Sequence, residues 1–250
     1  MSRIFVIGLG PGNPDQQTPE ARKALSLVTD VISYGPYVAR LELPETVVRH
    51  PSDNRVELDR ARHALELAGQ GRCVAIVSGG DAGVFGMASA LFEAIDHGLE
   101  LWRTTEVTVI PGVSAVLAAA ARIGAPLGGD FCVMSLSDNL KPWDVVCRRL
   151  RLAAEAGLVI ALYNPRSKAR PWQLGEALDI LRTCLPGTVP VAFARAIGRP
   201  DERLTLTDLT NADPECVDMS TLVLIGSELT RKIERPQGDA WLYTSRSVPA

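Results

Sequence analysis

The chain has 250 residues, 46% of them apolar and 22% charged, a net charge of −3 and a mean hydropathy of +0.10. These values suit a globular α/β protein of one large or two modest domains, with length enough to bury a core. They exclude a global positive field that would draw in nucleic acid, so an anionic partner has to be held by local basic clusters.

Apolar β-rich runs predict strands over 4–8, 31–34, 73–78 and 107–110, alternating with helical patterns over 19–28, 56–68, 84–96 and 114–123. Thr18-Pro19-Glu20 carries the marks of a helix start: a capping hydroxyl, a proline at the first position and an acid near the positive dipole end. Alternation of this kind predicts a mostly parallel sheet with helices on its faces. "RIGAPLGGD" (122–130) then breaks the pattern, and a domain junction is expected there, dividing 1–124 from 125–250. The second half predicts strands at 131–136, 158–163 and 189–194, helices at 142–156 and 172–185, then strands at 203–209, 221–225 and 241–243. Strands crowded near the end predict a mixed sheet, and the last few residues are expected to fray.

Five cysteines lie far apart with no CxxC, and three histidines show no ligand spacing, so neither a disulfide framework nor a metal site is expected. No apolar run reaches the ~20 residues of a membrane span. The chain opens on a strand pattern rather than on a charged segment followed by an apolar signal stretch. A cytoplasmic protein with no membrane partner is the expectation.

The opening "IFVIGLGPGNP" runs a strand into a glycine-rich turn. A dinucleotide loop needs G-x-G-x-x-G and an acid at the end of the second strand. Here Asn13 replaces the last glycine, Pro11 removes a backbone N–H, the helix starts late, and the second strand ends "SYGP". The turn allows close backbone approach and suits a ligand without phosphate, or no ligand at all. "SGGDAGVFGMAS" (78–89) and "IPGVSA" (110–115) repeat the arrangement after two more strands. Asp81 either caps the following helix or contacts a ligand, and Ser114 reads as an N-cap. Three glycine-rich strand ends in one domain outline a pocket of backbone and small side chains. "LYNPRSKARPWQL" (162–174) carries Arg166, Lys168 and Arg170, either a solvated basic loop or a clamp for carboxylates. No nucleophile–base–acid set, paired carboxylates or metal motif appears. That fits chemistry in which the protein mainly positions reactive partners.

The three glycine-rich motifs, in this order and at these separations, resemble those of the tetrapyrrole methylases, the class III S-adenosylmethionine (SAM)-dependent methyltransferases. The resemblance covers nearly the whole chain. "LSDNLKPW" and "ALYNPRSKARPWQ" are similar to the branch that methylates carbon 17 of precorrin-3B and contracts its ring. The resemblance implies two α/β domains with SAM in the cleft between them, in a homodimer. It implies cofactor contacts from Pro11, Gly79, Gly80, Asp81, Val84, Phe85, Ser114 and Ala115, and in the second half from Leu162, Tyr163, Thr221 and Leu222. Arg166, Lys168 and Arg170 are implied to meet the carboxylate arms of the tetrapyrrole. Asp81, Ser114 and Tyr163 are the groups within the motifs to consider for proton transfer. The chain departs from the usual pattern at Ala82, where proline is expected, and at Phe85, where tyrosine is.

Overall fold

The computed structural model describes residues 3–53 and 56–247; the expected fraying of the last residues lies outside them. The chain forms two compact units, Met1–Ala115 and Val116–Ala250.

The first unit runs β1 (Arg3–Gly8), α1 (Pro19–Leu25), β2 (Asp30–Tyr34), α2 (Gly35–Val38), β3 (Val48–Ser52), α3 (Glu57–Gly69), β4 (Cys73–Ser78), α4 (Met87–His97) and β5 (Glu106–Ile110). Its sheet has the order β3-β2-β4-β1-β5, and every pairing is parallel. The strands read as continuous apolar runs because both faces are covered. Ile4 and Val6 pack with α3 and α4, while Phe5 and Ile7 pack with α1. Val74 and Ile76 divide from Ala75 and Val77 in the same way. Thr18 caps α1 as expected, accepting a bond from the Ala21 N–H at 3.1 Å.

β3 has no counterpart among the expected strands. Its sequence is Val-Arg-His-Pro-Ser, half exposed, and it pairs only with β2. A proline is tolerated there because the strand lies at the sheet edge.

The second unit contains α5 (Ala115–Ile123), whose first residue belongs to the first unit, then β6 (Gly124–Ala125), β7 (Phe131–Ser135), α6 (Trp143–Glu155), β8 (Val159–Tyr163), α7 (Gln173–Cys184), β9 (Pro190–Arg195), β10 (Arg203–Asp208), β11 (Thr221–Ile225), β12 (Thr230–Ile233) and β13 (Trp241–Thr244). Its main sheet, β10-β9-β11-β8-β7, is mixed: β7 and β8 are parallel, and the other neighbours antiparallel. A small sheet, β12-β13-β6, accompanies it. α6 and α7 pack on one face of the main sheet through Leu150, Leu174 and Leu178. Ile123 and Leu242 pack on the other face with Val159, Ala192 and Leu224. Through Ile123, α5 belongs with the second unit from Val116 onward, so the division falls at its first residue, ahead of the Gly/Pro-rich stretch expected to mark the junction.

One buried carboxylate ties three segments of the first sheet. Asp30, 1% exposed, accepts bonds from Arg72 Nε (2.7 Å) and Thr29 Oγ1 (2.6 Å), and its Oδ1 lies 2.9 Å from His50 Nε2. Burial alone would raise its pKa, but the bonds from Arg72, Thr29 and His50 outweigh burial and hold it at about 2. The pairing stabilises the fold above the ordinary carboxylate range and is lost as pH falls through about 2. Asp30→Asn is expected to lower unfolding free energy near neutral pH by about 2 kcal/mol. In urea titrations at stepped pH the difference from wild type should shrink between about pH 4 and pH 2.

Candidate active site

Three loops meet at the carboxyl ends of β1, β4 and β5, where parallel sheets hold their ligands. They are joined through main chain. Gly10 and Gly80 exchange N–H···O bonds of 3.0 and 2.8 Å, and the Leu9 N–H donates to the Ser78 carbonyl at 2.9 Å. A Cβ on Gly8 would lie 2.6 Å from the Gly112 nitrogen, and one on Gly112 would overlap the Gly80 carbonyl. Gly10 and Gly80 also have φ of +78° and +72°, which side chains disfavour. Gly8 and Gly112 are there because the main chains pass too close for anything larger, and Gly80 because of its left-handed backbone.

Asp81 locks this arrangement. Its Oδ1 accepts from the N–H groups of Gly83 (2.7 Å) and Val84 (3.1 Å), and its Oδ2 accepts from the Gly112 N–H (2.9 Å). Both oxygens are spent on backbone, and Asp81 joins the second loop to the third. It does not cap α4, which starts at Met87, three residues after the expected Val84. Buried Ser78 does that instead, accepting from the Met87 N–H at 3.1 Å. The sequence signal for Ser78 was its place as the last polar residue of an apolar strand. Tyr37, also missed, closes the floor: a Cβ on Gly79 would sit 2.9 Å from its ring.

The loops thus bring Gly80, Asp81, Ser114 and Ala115 together, with Pro11 buried beside Gly10. A Cβ on Gly80 would have as neighbours the Ala115 nitrogen at 3.7 Å and the Ser114 Cα at 3.8 Å. Phe85 is half exposed with φ +53°, a costly conformation for an aromatic residue and one found mostly at ligand sites. No lysine or arginine occurs within 9–18, 79–86 or 111–114. Arg22 reaches the first loop from α1, but it donates to the Pro14 and Gln17 carbonyls at 2.8 and 3.1 Å, so the loops carry no cation of their own to offer a polyphosphate. A cationic, largely neutral-bodied molecule such as SAM fits this donor set of main chain and small side chains.

In the second unit, Tyr163 ends β8, and its phenol oxygen accepts from the Val116 N–H at 3.0 Å in the first turn of α5. Leu162 and Leu222 have their side chains buried, so only their main chain is open to a ligand role. The Thr221 hydroxyl donates to Asp218 Oδ1 at 2.9 Å.

The basic loop differs from the expected clamp of three free cations. Arg170 is buried; its Nη1 donates to the carbonyls of Asn164 (3.0 Å) and Leu136 (3.4 Å), so it braces the loop from within. Arg166 donates to both oxygens of Glu215 (2.7 and 2.6 Å) and to the Pro171 carbonyl (3.1 Å). Lys168 stands exposed, with no ion pair to a described residue. Asn164, missed in the sequence, takes φ +52° and donates to Ser135 Oγ at 3.0 Å. Through these bonds the two branch motifs, 136–143 and 163–173, form one cluster. Trp143 and Trp172 meet edge to face with centroids 5.2 Å apart, and Gln173 donates to Asp138 at 3.2 Å. Burial lowers the pKa of Lys141 in this cluster; the Arg149 charge adds to the shift and Asp138 opposes it.

Comparison with known proteins agrees with this geometry. The family described as Tetrapyrrole (Corrin/Porphyrin) Methylases matches residues 3–213. A precorrin-3B C(17)-methyltransferase of Sinorhizobium sp. is 57% identical over 243 residues, 97% of this chain and 96% of that protein. The cobalamin biosynthesis protein CobIJ of Mycobacterium tuberculosis (strain ATCC 25618 / H37Rv) is 44% identical over 98% of this chain, which spans 48% of that longer protein. The crystal structure of the methyltransferase CobJ superposes with a TM-score of 0.93 at 49% identity, covering 98% of this chain and all of that one.

Asp81→Asn replaces one acceptor oxygen by an amide N–H₂, leaving Gly112 or the Gly83–Val84 turn without its partner. Amide exchange of peptides covering 79–86 and 107–115 should speed up at least tenfold, as the loss of a charged acceptor of about 1.5–3 kcal/mol implies. Exchange at α3 should remain at the wild-type rate.

Proposed function

The chain belongs to the tetrapyrrole methylase family, and on that premise we propose that it transfers a methyl group from SAM to carbon 17 of precorrin-3B. Ring contraction to precorrin-4 accompanies the transfer, as a step of cobalamin biosynthesis. The observation that carries this reading is the 57% identity to the Sinorhizobium methyltransferase along almost the full length of both chains. The packed cluster of 136–143 with 163–173 supports the same branch, since its bonds use the residues that distinguish it.

Bound SAM supplies a methyl group already activated on a sulfonium, so no side chain has to create the electrophile. The protein's task is placement. The glycine contacts of the first unit fix main-chain N–H and C=O groups at the strand ends, and Asp81 keeps them from separating. Holding the two reactants in near-attack geometry is worth about 7–11 kcal/mol of the barrier. Pro11, Gly79, Gly80, Val84, Phe85, Ser114 and Ala115 are the proposed cofactor contacts in the first unit. Leu162, Tyr163, Thr221 and Leu222 are those in the second, mainly through backbone. Asp81 is a positioning residue, because both its oxygens are already committed to main-chain N–H groups. Of the basic loop, exposed Lys168 is proposed to meet the carboxylate arms of the substrate; Arg166 shares its charge with Glu215, and Arg170 shapes the loop. The enzyme is further proposed to act as a cytoplasmic homodimer. No described helix is long and apolar enough to cross a membrane.

Purified protein given methyl-labelled SAM and precorrin-3B should yield a tetrapyrrole one labelled methyl heavier, with the spectrum of a contracted ring. An unchanged tetrapyrrole, in both metal-free and cobalt-loaded form, would refute the assignment. S-adenosylhomocysteine at 100 times its Kd should stabilise the fold by about 2.7 kcal/mol, whereas NAD should leave the melting temperature in place. Lys168→Ala should raise the tetrapyrrole KM severalfold with S-adenosylhomocysteine binding as before.

A further inference from the structure

The cluster built from the two branch motifs holds groups for which the fold itself has no use. Leu140, between β7 and α6, is 99% exposed, whereas the next most open large apolar residue among those described, Leu101, is 71% exposed. A leucine so placed adds nothing to the core, and burying it against a ligand is worth tenfold or more in a binding constant. Three residues along, Trp143 opens α6 and meets Trp172, which is 48% exposed and precedes the first residue of α7. Neither helix receives a side-chain hydrogen bond from its N-cap residue.

An independent observation points to a ligand. Gln173 is 2% exposed; its Nε2 donates to Asp138, but its Oε1 has no partner. Trp143 Nε1 is likewise buried and unpartnered. Buried polar atoms are almost always bonded, so two orphans beside one exposed leucine call for an explanation. Gln173 Oε1 calls for a donor and Trp143 Nε1 for an acceptor, and a hydroxyl or carboxylic-acid group can serve as either. The same two segments carry the cations Lys141, Lys168 and Arg166, the last paired with Glu215. The combination suits a flat apolar ring with polar and anionic arms. A second copy of the chain meeting itself here would instead bring the same cations together across the contact.

We propose that Leu140 and Trp172 are specificity-determining contacts that grip the face of the macrocyclic substrate, with Trp143 Nε1 and Gln173 Oε1 taking a polar group on its edge. The proposal rests on the tetrapyrrole reading above and adds to it the residues that select the ring.

The test is a titration with precorrin-3B in the presence of S-adenosylhomocysteine, read by tryptophan fluorescence, alongside steady-state turnover with SAM. Wild type should show quenching of indole emission, and Trp172→Phe should remove most of it. Leu140→Ser, at a site too exposed to affect folding, should raise the precorrin-3B KM about tenfold. Leu140→Met should restore it to within about twofold, because it returns the apolar surface. The Kd for S-adenosylhomocysteine should be the same in all these proteins. Wild-type KM in Leu140→Ser, or unchanged quenching in Trp172→Phe, overturns this inference while leaving the proposed reaction intact. A change of oligomeric state in Leu140→Ser with wild-type KM also overturns it, and assigns the patch to a second copy. Failure of wild type to bind or methylate precorrin-3B overturns both readings.

Discussion

The first unit depends on how closely three main chains approach at the ends of β1, β4 and β5. A Cβ on Gly8 or Gly112 would strike the main chain of the other and of Gly80, and Gly10 and Gly80 are held in reciprocal hydrogen bonds. This contact sets the positions of everything downstream. The carboxylate of Asp81 reaches the Gly112 N–H only because the third loop lies against the second. Ser78 reaches the Met87 N–H only because the second loop turns back over the strand end. Enlarging one glycine would therefore move three loops together. A surface built of main chain also has fixed dipoles and little freedom to reorganise, which suits chemistry driven by placement.

The second unit solves a similar problem with a cation. Arg170 lies under the loop that follows β8 and binds carbonyls from both branch motifs. A buried guanidinium offers five donors in a rigid fork, enough to add to the one main-chain bond between the segments, from the Leu136 N–H to the Tyr163 carbonyl at 3.0 Å. The carbonyls of Asn164 and Leu136 serve it as neutral acceptors. This is a reason for an arginine, rather than a lysine, at the buried position, while Lys168 occupies the exposed one.

Much of the architecture was legible because it is written locally. Apolar runs of five or six residues ending in glycine mark β1 and β4, and Thr18-Pro19-Glu20 marks α1 within one residue. The ligand end of the first unit was legible for the same reason: three glycine-rich turns each follow a strand. What could not be read is set by partners far along the chain. Arg166 looks like a free cation until Glu215, 49 residues later, folds against it. Arg170 has the same local signature as Lys168 and the opposite burial. β3 was illegible because Arg49, His50 and Pro51 deny it any strand pattern, and only its pairing with β2 makes it one. Asp81 was read as a cap or a ligand because those are the local uses of an aspartate before a helix; its bond to Gly112 spans 31 residues.

The distribution of charge follows from the reaction. Methyl transfer from a sulfonium begins with a cation and ends with a neutral thioether, so a carboxylate aimed at the sulfur would stabilise the starting state and raise the barrier. Of the loop carboxylates at this end, Asp15 lies in the first loop, and Asp81 in the second is saturated by three backbone N–H groups, which leaves it little capacity to do so. A lysine or arginine there would repel the cofactor, and the three loops contain none. Arg166, Lys168 and Arg170 lie instead in the second unit, in the loop that follows β8. Keeping cations out of loops that would meet a sulfonium, and placing them where an anionic reactant would be met, is how one chain can serve a positive and a negative partner.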